Sequence, residues 1–343
     1  MKKLMNAAES IVDDMIDGYV SAFEQVVRGH QDPRIVVRAK GRKDPDRKVT
    51  LLIGNGSGHE PIAMGFVGAG LLDANVVGDV FAAPSADLIL DGIREVSGKA
   101  GCILLISQHS GDMINGRAAV MLAEEERLRV RALPMYDDIS SAPRDRIQDR
   151  RGAPGTMFIY KILGAAAEAG MPLDDLMTLG RAVRARTVTL AAALSPGISP
   201  LTGQPMFDLP DDEIYLGMGV HGEPGIGRTG VGPVRDLVTL IVDKLLGDYP
   251  IASGGQAAVI VNGMGGTTLM ELLTVWNETR HALAARGIAA VAPMIGSFVT
   301  TQEMGGFSIS LLEPAGDMLR LWTAPSDTPF FPSIRHAEKE KSQ

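Results

Sequence analysis

The chain has 343 residues, 45% hydrophobic and 22% charged, with a single cysteine and a formal net charge of −8. This is enough apolar material for one large or two medium cores and argues against disorder over most of the length. An acidic balance with no offsetting Lys/Arg cluster argues against nucleic-acid binding, and Cys102, alone in an apolar run, excludes a disulfide framework or a cysteine metal site.

The start, Met1 to Ala8, begins like the basic region of an export signal, but Glu9, Asp13 and Asp14 interrupt any apolar core. No apolar stretch approaches the ~20 residues of a membrane span. A cytoplasmic protein without membrane contact is expected. Between Asn6 and Glu24, Ile11, Val12, Met15, Ile16, Tyr19, Val20 and Phe23 fall at helical spacing. After a polar linker, Gly41 to Lys48, a short apolar strand from Val49 to Ile53 runs into Gly54-Asn55-Gly56-Ser57-Gly58-His59-Glu60-Pro61. Asn75 to Val80 predicts a second strand, and Pro84-Ser85 opens a helix through Val96 with Ser85 as its N-cap. Cys102 to Ile106 is a wholly apolar third strand, as expected where both sheet faces are covered. It ends in Ser107-Gln108-His109-Ser110-Gly111-Asp112, with a helix predicted from Asn115 to Arg127 and a fourth strand from Val130 to Leu133.

Ile139 to Gly155 reads as a long arginine-rich loop, followed by a very apolar helix, Thr156 to Ala169, and another from Leu173 to Ala185. The second half predicts strands at Val188–Leu194, Ala257–Val261 and Ala290–Met294, and helices at Pro233–Leu246 and Leu269–Ala285. Phe307 to Leu311 alternates Phe-Ser-Ile-Ser-Leu and predicts a strand covered on one face. The fold class is α/β: a first α/β domain over 1–185 with a mostly parallel sheet, a second over 186–330 with a mixed sheet, and a loose polar tail, 331–343.

The glycine loop carries the chemistry. Three glycines in five residues at the end of a strand let a ligand approach the backbone closely, where open α/β sheets bind their ligands. Of six histidines, His59, His109 and His221 lie within two residues of a glycine near a predicted strand end. Two share a context, Gly58-His59-Glu60-Pro61 and His221-Gly222-Glu223-Pro224, and imidazole serves as nucleophile, acid or base near neutrality. Asp112 is either the N-cap of the following helix or a general base. The three histidines and Asp112 lack metal-ligand spacing, so no metal is expected. No Gly-x₄-Gly-Lys-[Ser/Thr] is present, and His59 stands where a dinucleotide fingerprint needs its third glycine, so the chain shows no nucleotide site of its own.

These residues resemble the dihydroxyacetone kinase family: Gly-Asn-Gly-Ser-Gly-His-Glu-Pro (54–61), Gly-Asp-Val-Phe-Ala-Ala-Pro-Ser (78–85), Ser-Gly-Asp-Met-Ile-Asn (110–115), Arg-Arg-Gly-Ala-Pro-Gly-Thr (150–156), Gly-Met-Gly-Val-His-Gly-Glu-Pro-Gly (217–225), Val-Asn-Gly-Met-Gly-Gly-Thr (261–267) and Gly-Phe-Ser-Ile-Ser-Leu-Leu (306–312). The likeness covers nearly the whole chain and concerns the substrate-binding K subunit. It implies a ketone held as a hemiaminal on His221, His59 assisting as acid/base, Asp112 as base for the hydroxyl to be phosphorylated, and Gly56, Ser57 and Gly58 closing on the ligand. ADP or ATP with Mg²⁺ would come from a separate L subunit, recharged in some systems by a phosphotransferase relay protein, and the subunit would be a homodimer. The turn 107–112 departs from the family's Lys-Asn-Tyr-x-Gly-Asp, placing Ser107 at the substrate-facing lysine; Asn55 replaces a common glycine and Glu303 a usual aspartate. A divergent paralogue acting on a four-carbon ketose such as erythrulose is therefore one expectation. A non-catalytic ketone-binding regulatory module is another.

Overall fold

The computed structural model describes residues 2–39 and 43–331. The Gly41 start of the linker and the tail beyond residue 331 lie outside the described residues. Two six-stranded sheets organise the chain. The first contains β1 (Val26–Arg28), β2 (Ile35–Arg38), β3 (Thr50–Ser57), β4 (Ala74–Val80), β5 (Cys102–Ser107) and β6 (Val130–Met135), in the order β1-β2-β4-β3-β5-β6. β4, β3, β5 and β6 pair in parallel, and β2 joins β4 antiparallel. The sequence gives little sign of β1 and β2, which are three and four residues long.

The second sheet contains β7 (Thr187–Ser195), β8 (Glu213–Leu216), β9 (Gly227–Gly230), β10 (Gln256–Gly263), β11 (Ala289–Gly296) and β12 (Gly305–Leu312), in the order β11-β10-β12-β7-β8-β9. Only β10 and β11 pair in parallel there, so this sheet is mixed as expected. All strands of the first sheet precede residue 186 and all strands of the second follow it.

Helices complete a layered arrangement. Leu52 and Leu104 of the first sheet pack against α2 (Ala86–Val96) and α3 (Ser110–Glu125) on its outer face. The inner face, with Leu51, Ile53, Ile103 and Leu105, shares one cluster with α1 (Ile11–Ala22), α4 (Thr156–Glu168), α5 (Leu173–Ala185) and α8 (Met318–Trp322). Ala258, Ile260 and Leu312 of the second sheet join that same cluster, while its other face packs on α6 (Val234–Asp248) and α7 (Leu269–Ala284). The central helix α4 is buried from Thr156 to Ala167, which accounts for its apolar sequence. Even Lys161 lies inside it, donating to the Leu321 carbonyl at the end of α8 (3.2 Å), and burial pulls its pKa down to about 8.

Three expectations need correction. β12 is covered on both faces: Phe307, Ile309 and Leu311 face α6 and α7, and the alternating Ser308 and Ser310 are buried as well. The period came from serines in a central strand, not from solvent; Ser310 satisfies its hydroxyl by accepting from Thr189 (2.7 Å). Helix α3 starts at Ser110 instead of Asn115, because His109 takes the extended N-cap conformation (φ −95°, ψ 155°). Asp112 is thus in the first turn and is not the N-cap. Phe331, assigned to the polar tail, is buried with its ring 5.6 Å from Phe66 and 5.8 Å from Trp322. Ser85 does cap α2, accepting from Leu88 N (3.2 Å).

Candidate active site

Strand β3 delivers the glycine loop against the turn that follows β4. A Cβ on Gly56 would lie 2.7 Å from the Ala82 nitrogen, so the two backbones can approach only because that atom is missing. Gly58 has φ +98°, and its Cβ would meet the Phe81 ring at 2.5 Å. Phe81 itself is held at φ +58°, and its ring stands 5.1 Å from that of His59 and 5.8 Å from that of His221. Backbone outliers of this kind cluster at functional sites.

The three candidate histidines meet here. The His59 and His221 rings are 4.9 Å apart and the His109 and His221 rings 5.0 Å apart. Hydrogen-bond chemistry fixes their protons. His59 Nδ1 lies 2.8 Å from the Thr300 carbonyl oxygen, which can only accept, so Nδ1 carries a hydrogen. Burial, reinforced by the neighbouring His221, pushes the His59 pKa down to about 3. His59 is therefore neutral, and its Nε2 offers a lone pair. That lone pair faces His221 Nε2 at 3.0 Å, which requires the hydrogen to sit on His221.

His221 Nδ1 in turn lies 2.9 Å from Glu223 Oε1, and the other oxygen of Glu223 accepts from the His221 backbone N–H, also at 2.9 Å. Burial opposes ionisation of Glu223, but hydrogen bonds from His109 and His221 outweigh it and hold the carboxyl far below its usual range. For His109, burial lowers the pKa, yet the Glu223 carboxylate 3.3 Å from its Nδ1 leaves it raised overall.

Asp112 completes the constellation from the first turn of α3. Its Oδ1 is buried and has no hydrogen-bond partner. Burial lifts its pKa to about 6, against the pull of His109 and His221. A buried carboxylate oxygen without a partner is costly unless a ligand supplies the donor. Asp112 lines a small cavity of about 60 Å³ together with Gly56, His59, Ser107, His109 and His221. Ser57 and Gly58 do not line that cavity: they border a neighbouring groove with Gln302, and the Ser57 hydroxyl donates to Gly78 O (2.6 Å).

Glu223, Phe81, Thr300 and Tyr160, which also lines the cavity, were not singled out as site residues from sequence. Glu223 has a signal in the repeated His/Glu/Pro context and Phe81 lies in the 78–85 motif; Thr300 and Tyr160 have none. Among the described residues, the group able to hold a metal is His109, His221 and Glu223, with ligand atoms within 4.8 Å of one another, so Glu223 takes the place considered for Asp112. No helix of the described residues is long and apolar enough to cross a membrane.

Comparison with known proteins bears on the family. The Dak1 domain model matches residues 17–330. The chain is 38% identical to the "PTS-dependent dihydroxyacetone kinase 1, dihydroxyacetone-binding subunit DhaK" of Listeria innocua, over 96% of this chain and 99% of that protein. It is 36% identical to the "D-erythrulose kinase" of Mycolicibacterium smegmatis, over 96% of this chain and 56% of that protein. Among solved structures it is similar to the "Dihydroxyacetone kinase operon co-activator Dha-DhaQ", with a TM-score of 0.86 and 28% identity over 92% of this chain and 97% of that one. The chain therefore belongs to the Dak1-domain family, the dihydroxyacetone kinase family that its motifs resemble.

Proposed function

We propose that this chain is the substrate-binding subunit of a dihydroxyacetone-type kinase. It holds a short ketose as a hemiaminal on His221 while a separate subunit, carrying ADP or ATP with Mg²⁺, brings phosphate to a primary hydroxyl. One observation carries the reading: His221 Nε2 and the His59 lone pair face each other at 3.0 Å in the cavity that Asp112, with its unpartnered Oδ1, also lines. His59 Nε2 takes the hydrogen from His221 Nε2. The freed nitrogen adds to the ketone carbon, and His59 returns the hydrogen to the former carbonyl oxygen, which becomes a hydroxyl. The ionised Glu223 balances the positive charge on the His221 ring through Nδ1. Asp112 accepts the hydrogen of the hydroxyl to be phosphorylated.

Capture through a carbonyl rejects polyols such as glycerol, which lack the reacting group, far more strongly than shape could. Phosphoryl transfer is otherwise mainly positioning and electrostatics, which the partner's nucleotide and Mg²⁺ supply. The dihydroxyacetone-binding name of the relative matched end to end supports this division of labour. A phosphotransferase relay protein recharging the nucleotide, a homodimer of this subunit and a cytoplasmic setting belong to the same proposal.

Two observations favour narrower readings. Ser107 lines the cavity where the family resemblance places a lysine, so a hydroxyl replaces a long cation, which suits a four-carbon ketose; the likeness to an erythrulose kinase points the same way. The likeness to a co-activator suits a ketone-binding regulatory module, but a sensor has no use for Asp112 as a base. The experiment is phosphorylation of dihydroxyacetone, both erythrulose enantiomers and glycerol with the cognate nucleotide-binding subunit. Turnover of a ketose and none of glycerol is expected. A His221 adduct with no turnover of any ketose identifies the regulatory module instead, and no adduct at all ends the proposal.

A further inference from the structure

One cluster in the cavity mouth sets two imidazoles on a single carboxylate, of which ketone capture uses only one. His109 Nε2 lies 3.3 Å from the Gly152 carbonyl oxygen, which can only accept, so that nitrogen carries a hydrogen. Its Nδ1 faces Glu223 Oε1 at 3.3 Å. His221 repeats the arrangement, with its Nε2 hydrogen directed to His59 and its Nδ1 2.9 Å from the same Glu223 oxygen. Two Nδ1 atoms thus converge on one carboxylate oxygen. Acceptor meets acceptor there unless positive charge lies between them: a proton on each ring, or one divalent cation carrying the same total charge.

We propose that His109, His221 and Glu223 form a binding site for a borderline-soft divalent cation such as Zn²⁺, and that its occupancy competes with ketone capture. Two imidazoles and one carboxylate are a donor set that Zn²⁺ accepts while keeping a fourth position open. With bonds of about 2.0–2.2 Å, the edge of a tetrahedral zinc site is about 3.4 Å. The observed separations of 2.9 and 3.3 Å need only a small expansion to match. Ligating histidines hold their orientation by a hydrogen bond from the other ring nitrogen, and the Gly152 carbonyl and His59 provide one for each ring. All three ligands border the open mouth of the site, so an ion can reach them.

Binding is an exchange without redox change. The cation takes the two Nδ1 lone pairs and the carboxylate oxygen, and any protons held at Nδ1 leave to solvent. The metal then withdraws electron density from the His221 ring and removes Glu223 as its counter-charge, making Nε2 a poorer nucleophile. This consequence rests on the reading of His221 as the capturing residue; the metal site itself does not.

The test is a titration of the metal-stripped full chain with Zn²⁺, following bound zinc by equilibrium dialysis. One zinc per chain is expected, weakened at least tenfold in both His109→Phe and His109→Gln, with circular dichroism melts confirming that each variant folds. No stoichiometric zinc, or wild-type affinity in both variants, overturns the site. In a second arm, intact-mass spectrometry follows the ketose adduct with and without Zn²⁺; at least a tenfold loss of adduct in the presence of zinc is expected. An adduct unaffected by bound zinc overturns the competition. Zinc binding without any adduct in the metal-free chain supports the site and removes the capture reading instead.

Discussion

Two segments of this chain use nearly the same letters to opposite ends. Gly58-His59-Glu60-Pro61 and His221-Gly222-Glu223-Pro224 each bring an imidazole to the cavity and set a carboxylate beside it in sequence. In the first, the carboxylate turns away from its histidine: Glu60 accepts from the Gly58 N–H at 3.0 and 3.1 Å, and burial raises its pKa. His59, only 7% exposed, is left with a backbone carbonyl as partner and stays neutral. In the second, Gly222 at φ +84° sits between the two residues and lets the chain curl back, so that Glu223 reaches both the backbone and the ring of His221. One histidine becomes an acceptor of a hydrogen and the other its donor. Environment, and not residue type, decides which imidazole nitrogen accepts and which donates.

Removing the proposed nucleophile should break this pairing most completely. His221→Ala is expected to abolish the ketose adduct in intact-mass spectra and to lower turnover with the partner subunit by about 10³-fold or more. Retained turnover at the wild-type rate would mean that the ketone is held without a covalent bond.

Asp112→Asn should leave the adduct intact while lowering kcat by about 10²–10⁴-fold, since it removes the proposed base and not the proposed capturing atom. In the wild type, turnover should be lost as pH falls through about 6, where the buried Asp112 becomes protonated and can no longer accept the substrate hydrogen. A pH–rate profile flat from 5 to 8 speaks against Asp112 as the base.

His59→Phe keeps a ring beside Phe81 but deletes the acceptor nitrogen. Adduct formation should slow by about 10²-fold in a rapid-quench experiment, with a smaller change in the final extent. An unchanged rate would leave the His59–His221 contact without a role in capture. The mildest effect expected is on stability. Gly58→Ala combines a positive φ with a Cβ 2.5 Å from the Phe81 ring, and should destabilise the fold by about 1–3 kcal/mol in urea unfolding. Adding Phe81→Leu to that variant should recover part of the loss.

Much of this was legible in the residues. Apolar runs punctuated by glycine mark β3, β4, β5, β10 and β12, and the periodic helices α2 and α5 fall within a residue of their expected bounds. The edge strands β1 and β2 escaped because three- and four-residue runs carry too little periodicity to register. β12 misled because buried serines imitate a solvent face: Ser310 accepts from Thr189 on the next strand, while the Ser308 hydroxyl is buried without a partner.

The sequence by itself determined which groups could do chemistry: three histidines and one aspartate, each set at or near a glycine turn after an apolar run, together with motifs specific enough to name a family. The tertiary structure alone decided what each group is. The hydrogen on His59 Nδ1 is dictated by a carbonyl 241 residues away, and the contact that gives His59 its partner spans 162. Proton positions follow from acceptors, burial and neighbouring charge, and folding brings these together from segments with no local pattern in common.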